Sequence, residues 1–110
     1  MVSCLRTLTI DPNQRPITVS IAGRLTCLCP VNERRDYATV EVTYHPTHSV
    51  VELESFAQYL GGWSETQAAH DLVAQEIAQD VYDATEADDV TVRTRWEAVE
   101  GIECVVVASR

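Results

Sequence analysis

Lysine is absent from this 110-residue sequence: all 8 basic residues are arginine, set against 17 acids, for a formal net charge of −9. Two explanations compete. One is a protein that works among anions it does not bind. The other is adaptation to a cytoplasm rich in salt, where acidic surfaces stay soluble and charges are screened. Lysine avoidance combined with an excess of acid is hard to attribute to one binding site, which favours the second. Long apolar runs are missing too. At 45% hydrophobic content, no stretch approaches the length needed to cross a bilayer. No basic segment precedes an apolar one at the start of the chain, so a secretory signal is not supported. A cytoplasmic protein with no membrane partner is expected.

Cysteines are few: Cys4, Cys27, Cys29 and Cys104. Cys27 and Cys29 lie two apart on a predicted strand and point the same way, which is poor geometry for a mutual disulfide. Without secretion, a disulfide framework is not expected. C-x-C with the distant His45 and His48 lacks a recognised zinc spacing. Repeats, low-complexity tracts and linkers are also lacking. The chain, 1–110, therefore reads as one domain with a modest core, and a subunit this small often gains burial by oligomerising.

The pattern that remains places β-branched residues over 18–28 as a long strand, with Gly23 as a candidate bulge. A weaker alternation over 4–10 fits an edge strand, closed by Asp11-Pro12-Asn13. Over 38–44, Ala38, Val40, Val42 and Tyr44 share one face and Thr39, Glu41 and Thr43 the other, as in a half-buried strand. Pro46 ends it. A short helix over 53–60 stops at Gly61-Gly62. An S-x-x-Q capping box at Ser64–Gln67 opens a longer helix to about Ala84, with Ala69, Val73, Ile77 and Val81 repeating and Leu72 beside them. Asp80, Asp83, Glu86, Asp88 and Asp89 crowd its end against the helix dipole. Two further strands follow, an alternating one from Val90 and a more continuously apolar one over 102–108. The order β-β-α-α-β-β predicts an α+β fold: an antiparallel four-stranded sheet with both helices on one face.

Chemistry concentrates in CLCPVNERRDYATV, residues 27–40. Cys29 ends one strand and Asp36 opens the next, seven residues on. Thiolate addition needs an accessible sulfur with a proton donor or acceptor nearby. The plainer readings are a small core cysteine and a strand-entry carboxylate.

C-P-V-N-E-R-R-D-Y-A-T resembles the C-P-x-T-G-x-x-D-[FWY]-A/G-T segment of the QueF-type nitrile reductases, with the same Cys-to-Asp spacing. VELESFAQYL (51–60) is similar to that family's V-E-S-K-S-x-K-x-Y-L, and Ala69-His70-Asp71 falls where the family has His-Glu. Residues 95–102 resemble its last hairpin, which normally carries Arg-Gly-Gly. The resemblance covers 25–102 in four ordered segments.

It implies a tunnelling fold assembling into an oligomeric barrel, a homo-oligomer with sites between subunits. It implies action on the nitrile of 7-cyano-7-deazaguanine, with Cys29 as nucleophile and Asp36 as general acid/base, Asp36 working best desolvated and protonated before attack. Glu52, His70 and Asp71 would hold the base, Asp71 being one methylene shorter than the usual glutamate. As plain alternatives, Glu52 is a solvated helix N-terminal acid and His70 a satisfied helix histidine.

The departures matter as much. The family's two lysine positions hold Glu54 and Ala57, and its Arg-Gly-Gly is Val99-Glu100-Gly101. A carboxylate about 6 Å from a phosphate repels it by roughly 3 kcal/mol at an effective dielectric of 20. An NADPH site should therefore be severely weakened. The pattern is similar to the archaeal QueF-like amidinotransferases, in which ammonia attacks the thioimide of a base in tRNA to give archaeosine, with no redox cofactor. Three alternatives stay open: an NADPH-dependent reductase, a target base in DNA, and a non-catalytic purine-binding subunit. Arg24, Arg34 and Arg35 are candidates for nucleic-acid backbone contacts, with ordinary surface arginines as the plain reading.

Overall fold

A computed structural model describes residues 4–14 and 16–110. Met1–Ser3 and Arg15 lie outside the described residues. The elements are β1 (Thr7–Thr9), β2 (Val19–Leu28), β3 (Arg35–His45), β4 (Ser49–Val51), α1 (Leu53–Gly61), α2 (His70–Thr85), β5 (Asp88–Val99) and β6 (Ile102–Ser109). Strands β2-β3-β5-β6 form one antiparallel sheet, and β1 pairs with β4 in a small second one.

The sheet alternates strictly between a covered and an open face. Leu25, Ala38 and Trp96 stand in one row across it, and Ile21, Val42 and Val92 in another. These, with Cys27, Val40 and Tyr44, point to the side on which α1 packs against β2 and α2 against β5 and β6. Val73, Ala74, Ile77, Ala78 and Val81 of α2 complete the core. The α+β architecture, with both helices on one face of an antiparallel sheet, is the one expected. No helix among the described residues is long and apolar enough to cross a membrane.

Several local expectations fail. Gly23 is not a bulge: β2 and β3 pair without interruption from Val19 to Leu28. A Cβ at Gly23 would lie 2.7 Å from Leu60 Cδ1, so the glycine lets α1 approach the sheet. The bulges lie elsewhere, one of them in β5 between Trp96 and Val99. Gly62 ends α1 in right-handed conformation, φ −65°, with its N–H shared between Gln58 O and Tyr59 O, so no left-handed glycine stops this helix.

The capping box at Ser64–Gln67 does not open α2. Residues 66–68 instead extend the sheet: Leu28 N–H donates to Thr66 O at 2.9 Å, and Ala68 N–H to Leu28 O at 3.0 Å. This pairing delays the helix to His70, behind an Ala69 N-cap that makes no side-chain bond. Rotation of the start leaves Ala69 and Leu72 exposed, with Ala74 and Ala78 inside in their place. Glu86, at φ 52°, closes α2, and Asp88 and Asp89 already belong to β5. Asp80 and Asp83 are absorbed by hydrogen bonds from Tyr59 Oη and Gln79 Nε2. Strand β6 is not evenly buried: Val105 and Val107 point out on the open face.

Candidate active site

The β2–β3 hairpin builds the first half of the site. Cys29 N–H donates to Arg34 O at 2.7 Å, and Glu33 N–H to Cys29 O at 2.9 Å. Asn32 Oδ1 accepts from Arg34 N–H at 3.0 Å. Glu33 takes φ 59°, a left-handed turn position where the similar motif has glycine. The loop therefore holds its shape although that glycine is gone.

Cys27 and Asp36 are register partners across the hairpin and share the covered face. Cys27 is sealed, and its thiol is pushed up to about 11 by burial and by the neighbouring Asp36 and Cys29. It stays a thiol at neutral pH. Cys29, two residues on, is half-buried at the loop mouth. Of the two, Cys29 is the sulfur that a ligand can reach.

Asp36 is 5% exposed and fully engaged. Its Oδ1 accepts from Arg34 Nε at 3.2 Å, and its Oδ2 lies 3.1 Å from His70 Nε2. The His70 ring stacks on Trp96 with centroids 3.8 Å apart and planes 3° from parallel. Trp96 Nε1–H donates in turn to Thr94 Oγ1 at 3.0 Å. The chain thus joins three elements at one carboxylate. The pairing of residues 66–68 with the end of β2 is what delivers His70, the first residue of α2, onto Asp36.

Of the residues nominated from sequence, Asp36 and His70 meet directly, and Cys29 occupies the adjoining loop. Asp71, next to His70, is exposed and forms no hydrogen bond among the described residues. Glu52 is placed apart. It caps α1, accepting from Glu54 N–H at 2.5 Å, Ser55 N–H at 3.0 Å and Arg6 Nη2 at 2.9 Å. The bonds from Glu54, Ser55 and Arg6 hold its carboxyl below the ordinary range despite some desolvation. None of its partners belongs to the Asp36 group. Arg35 is occupied as well, donating to Ser64 O at 2.6 Å and pairing with Glu65 at 3.0 Å.

Sequence reasoning missed Arg34 and Trp96 as neighbours of the carboxylate. The position of Arg34, two residues before Asp36, was the available signal; the Trp96 stack is long-range and left none. Beside Asp36 opens a hollow of about 340 Å³ that Arg34, Tyr37, Glu97 and Glu100 help to line. Among the described residues, no cluster of His, Cys, Asp and Glu is arranged to hold a metal ion.

The family model for QueF-like proteins matches residues 35–110, from the start of β3 through α2 to the end of β6. This chain belongs to the QueF-like family. The QueF-like chain is 33% identical over 101 residues to the NADPH-dependent 7-cyano-7-deazaguanine reductase of Alkalilimnicola ehrlichii, covering 88% of this chain and 78% of that one. It is 31% identical over 107 residues to a reductase of the same name from an Anaeromyxobacter species, covering 94% and 88%. Its fold matches the crystal structure of the archaeosine synthase QueF-Like in the apo form, with a TM-score of 0.82 at 25% identity, over 87% of this chain and 95% of that one. The sheet and its two helices are therefore the tunnelling fold that the motif resemblance implied.

Proposed function

We propose that this QueF-like protein is an enzyme acting on the nitrile of 7-cyano-7-deazaguanine, and that it converts the nitrile to an amidine. The Cys29 thiol gives its proton to the Asp36–His70 pair as its sulfur bonds to the nitrile carbon, and the nitrogen gains a proton from the pair, giving a thioimide. Ammonia then adds to the same carbon. The carbon–sulfur bond breaks, the thiol regains its proton, and the base leaves as the formamidine, archaeosine. No electrons are gained or lost in either step.

Asp36 and His70 suit this cycle because each can pass a proton to the other across 3.1 Å. Stacking on Trp96 fixes the imidazole plane. Asp71, exposed and without a hydrogen bond among the described residues, is available to accept N–H groups of the base. Glu52 is tied to α1 and Arg6, and would serve a base bound by a neighbouring copy. Such copies are expected: β2 and β6 are the edge strands of the sheet, β2 covered among the described residues at Leu28 by residues 66–68, and Val105 and Val107 in β6 are exposed. A homo-oligomeric barrel would cover both.

The observation that carries the choice of ammonia is the charge in the hollow beside Asp36. Glu97 and Glu100 line it, and its two arginines are already paired, Arg34 with Asp36 and Arg35 with Glu65. These residues do not fit the phosphates of NADPH, and no reduction step is assigned to them. The names of the reductase relatives favour the second reading, an NADPH-dependent nitrile reductase. One assay separates the two. The protein is incubated with cyano-base tRNA or DNA plus ammonium, and with free cyano base plus NADPH, and the product is identified by mass. Amidine with ammonium supports the proposal. Aminomethyl product with NADPH and no amidine overturns it. Binding without any product marks a non-catalytic subunit.

A further inference from the structure

Four of the described arginines are engaged: Arg6 with Glu52, Arg34 with Asp36, Arg35 with Glu65, and Arg110 with Gln79 and the face of Tyr82. Arg24 and Arg95 are different. They form no hydrogen bond or ion pair among the described residues, although acids outnumber bases two to one in this chain. Both stand on the open face of the sheet, on either side of Thr39, which is the register partner of each. Neighbouring strands lie about 4.8 Å apart, so the two Cα atoms are separated by roughly 10 Å. Two guanidinium groups on long stems can close on one oxyanion between them, above the threonine hydroxyl. Further along the face Arg93 is opposite Glu41, which offsets its charge; the Arg24–Thr39–Arg95 row contains no acid.

The same three residues line a hollow of about 400 Å³, a size that suits a small ligand. Its other end carries Tyr37, 47% exposed, and the carboxylates of Glu97 and Glu103, which likewise have no partner among the described residues. The hollow exists because β5 bulges there: Glu97 and Ala98 together oppose Glu103 alone. Along the strands, the acidic end is about 7 Å from the arginine row. One hollow therefore offers a phosphate clamp, an aromatic platform and a carboxylate pair in sequence.

We propose that this hollow binds a nucleoside 5′-monophosphate with a guanine-type edge. The phosphate lies between Arg24 and Arg95, the base stacks on Tyr37, and its ring N–H and amino group donate to Glu97 or Glu103. This binding does not require nitrile chemistry, so a protein that forms no adduct at Cys29 would still bind the nucleotide.

Calorimetric titration with guanosine 5′-monophosphate, guanosine, cytidine 5′-monophosphate and inorganic phosphate tests the site. The guanine nucleotide is expected to bind at least tenfold tighter than each of the others. Arg24→Gln/Arg95→Gln should weaken it at least tenfold with an unchanged melting temperature, since neither side chain has a hydrogen bond or ion pair to lose among the described residues. Glu97→Gln/Glu103→Gln should narrow the preference over the cytidine nucleotide. Equal affinity for inorganic phosphate, undiminished binding in the arginine double variant, or no binding of the guanine nucleotide would overturn the assignment.

Discussion

Arg34 and Asp36 form an unequal pair, and the inequality sets what each substitution costs. The Asp36 side chain is 4% exposed and that of Arg34 42%. Arg34→Ala leaves a buried carboxylate with His70 as its only hydrogen-bonding partner among the described residues. A hydrogen bond to a charged group contributes about 1.5–3 kcal/mol, and a charge left unpaired in the interior costs towards the upper end, so a loss of about 2–3 kcal/mol is expected. Asp36→Asn removes the charge but keeps the shape and the contact with His70 Nε2. The abandoned guanidinium turns to water, and the expected loss is under about 1 kcal/mol. The double variant should resemble Asp36→Asn, which makes the two changes non-additive by about the whole Arg34→Ala loss, roughly 2–3 kcal/mol. Urea unfolding of the four proteins at pH 7, at one fixed protein concentration, measures all three quantities. If Arg34→Ala is no more costly than Asp36→Asn, or if the two losses simply add, Arg34 does not compensate a buried charge.

Three further outcomes follow from the packing. The Cys27 thiol is raised in the folded state from 9.0 to about 11, so the unfolded chain loses its proton first. Stability should hold below about pH 9 and fall between pH 9 and 11, by at most about 2.7 kcal/mol from this group; Cys27→Val should flatten that limb, and an unchanged alkaline slope would contradict the burial argument. Burial raises Tyr44 and Tyr59 as well, and they extend the loss to higher pH. Glu52→Ala should lower the denaturation midpoint while Ser64→Ala leaves it unchanged. Because the Glu52 carboxyl is depressed on folding, its contribution is present above the usual glutamate range and disappears on acidification, a difference that a pH series on the two variants would show. Gly23→Ala sets a methyl 2.7 Å from Leu60 Cδ1, between β2 and α1, and should destabilise by about 1–3 kcal/mol in the same unfolding assay.

The strands were legible because a half-buried sheet writes its period into the chain. Ala38, Val40, Val42 and Tyr44 are buried as their alternation predicted. The start of α2 was not legible. S-x-x-Q is a local signal, and the competing interaction comes from Leu28, far away in sequence. Gly23 misled for a related reason: a strand glycine marks either a bulge or a close approach, and only the position of Leu60 decides between them. At the site, motif spacing nominated Asp36 and His70 separately, and nothing in their spacing states that they are 3.1 Å apart. Glu52 sits in a helix-opening segment where a cap and a ligand contact look alike; its hydrogen bonds identify the cap. The stacked Trp96 came to the site through the β3–β5 register, which no local pattern encodes.

The most direct measurement is the intact mass of the protein after incubation with the cyano base, free and within tRNA, without ammonium or reductant. A covalent adduct of the substrate's full mass is expected on the wild-type chain and on Cys27→Ala, and none on Cys29→Ala. An adduct that survives Cys29→Ala, or wild-type protein that stays unmodified with both substrates, would contradict capture of the nitrile carbon by Cys29.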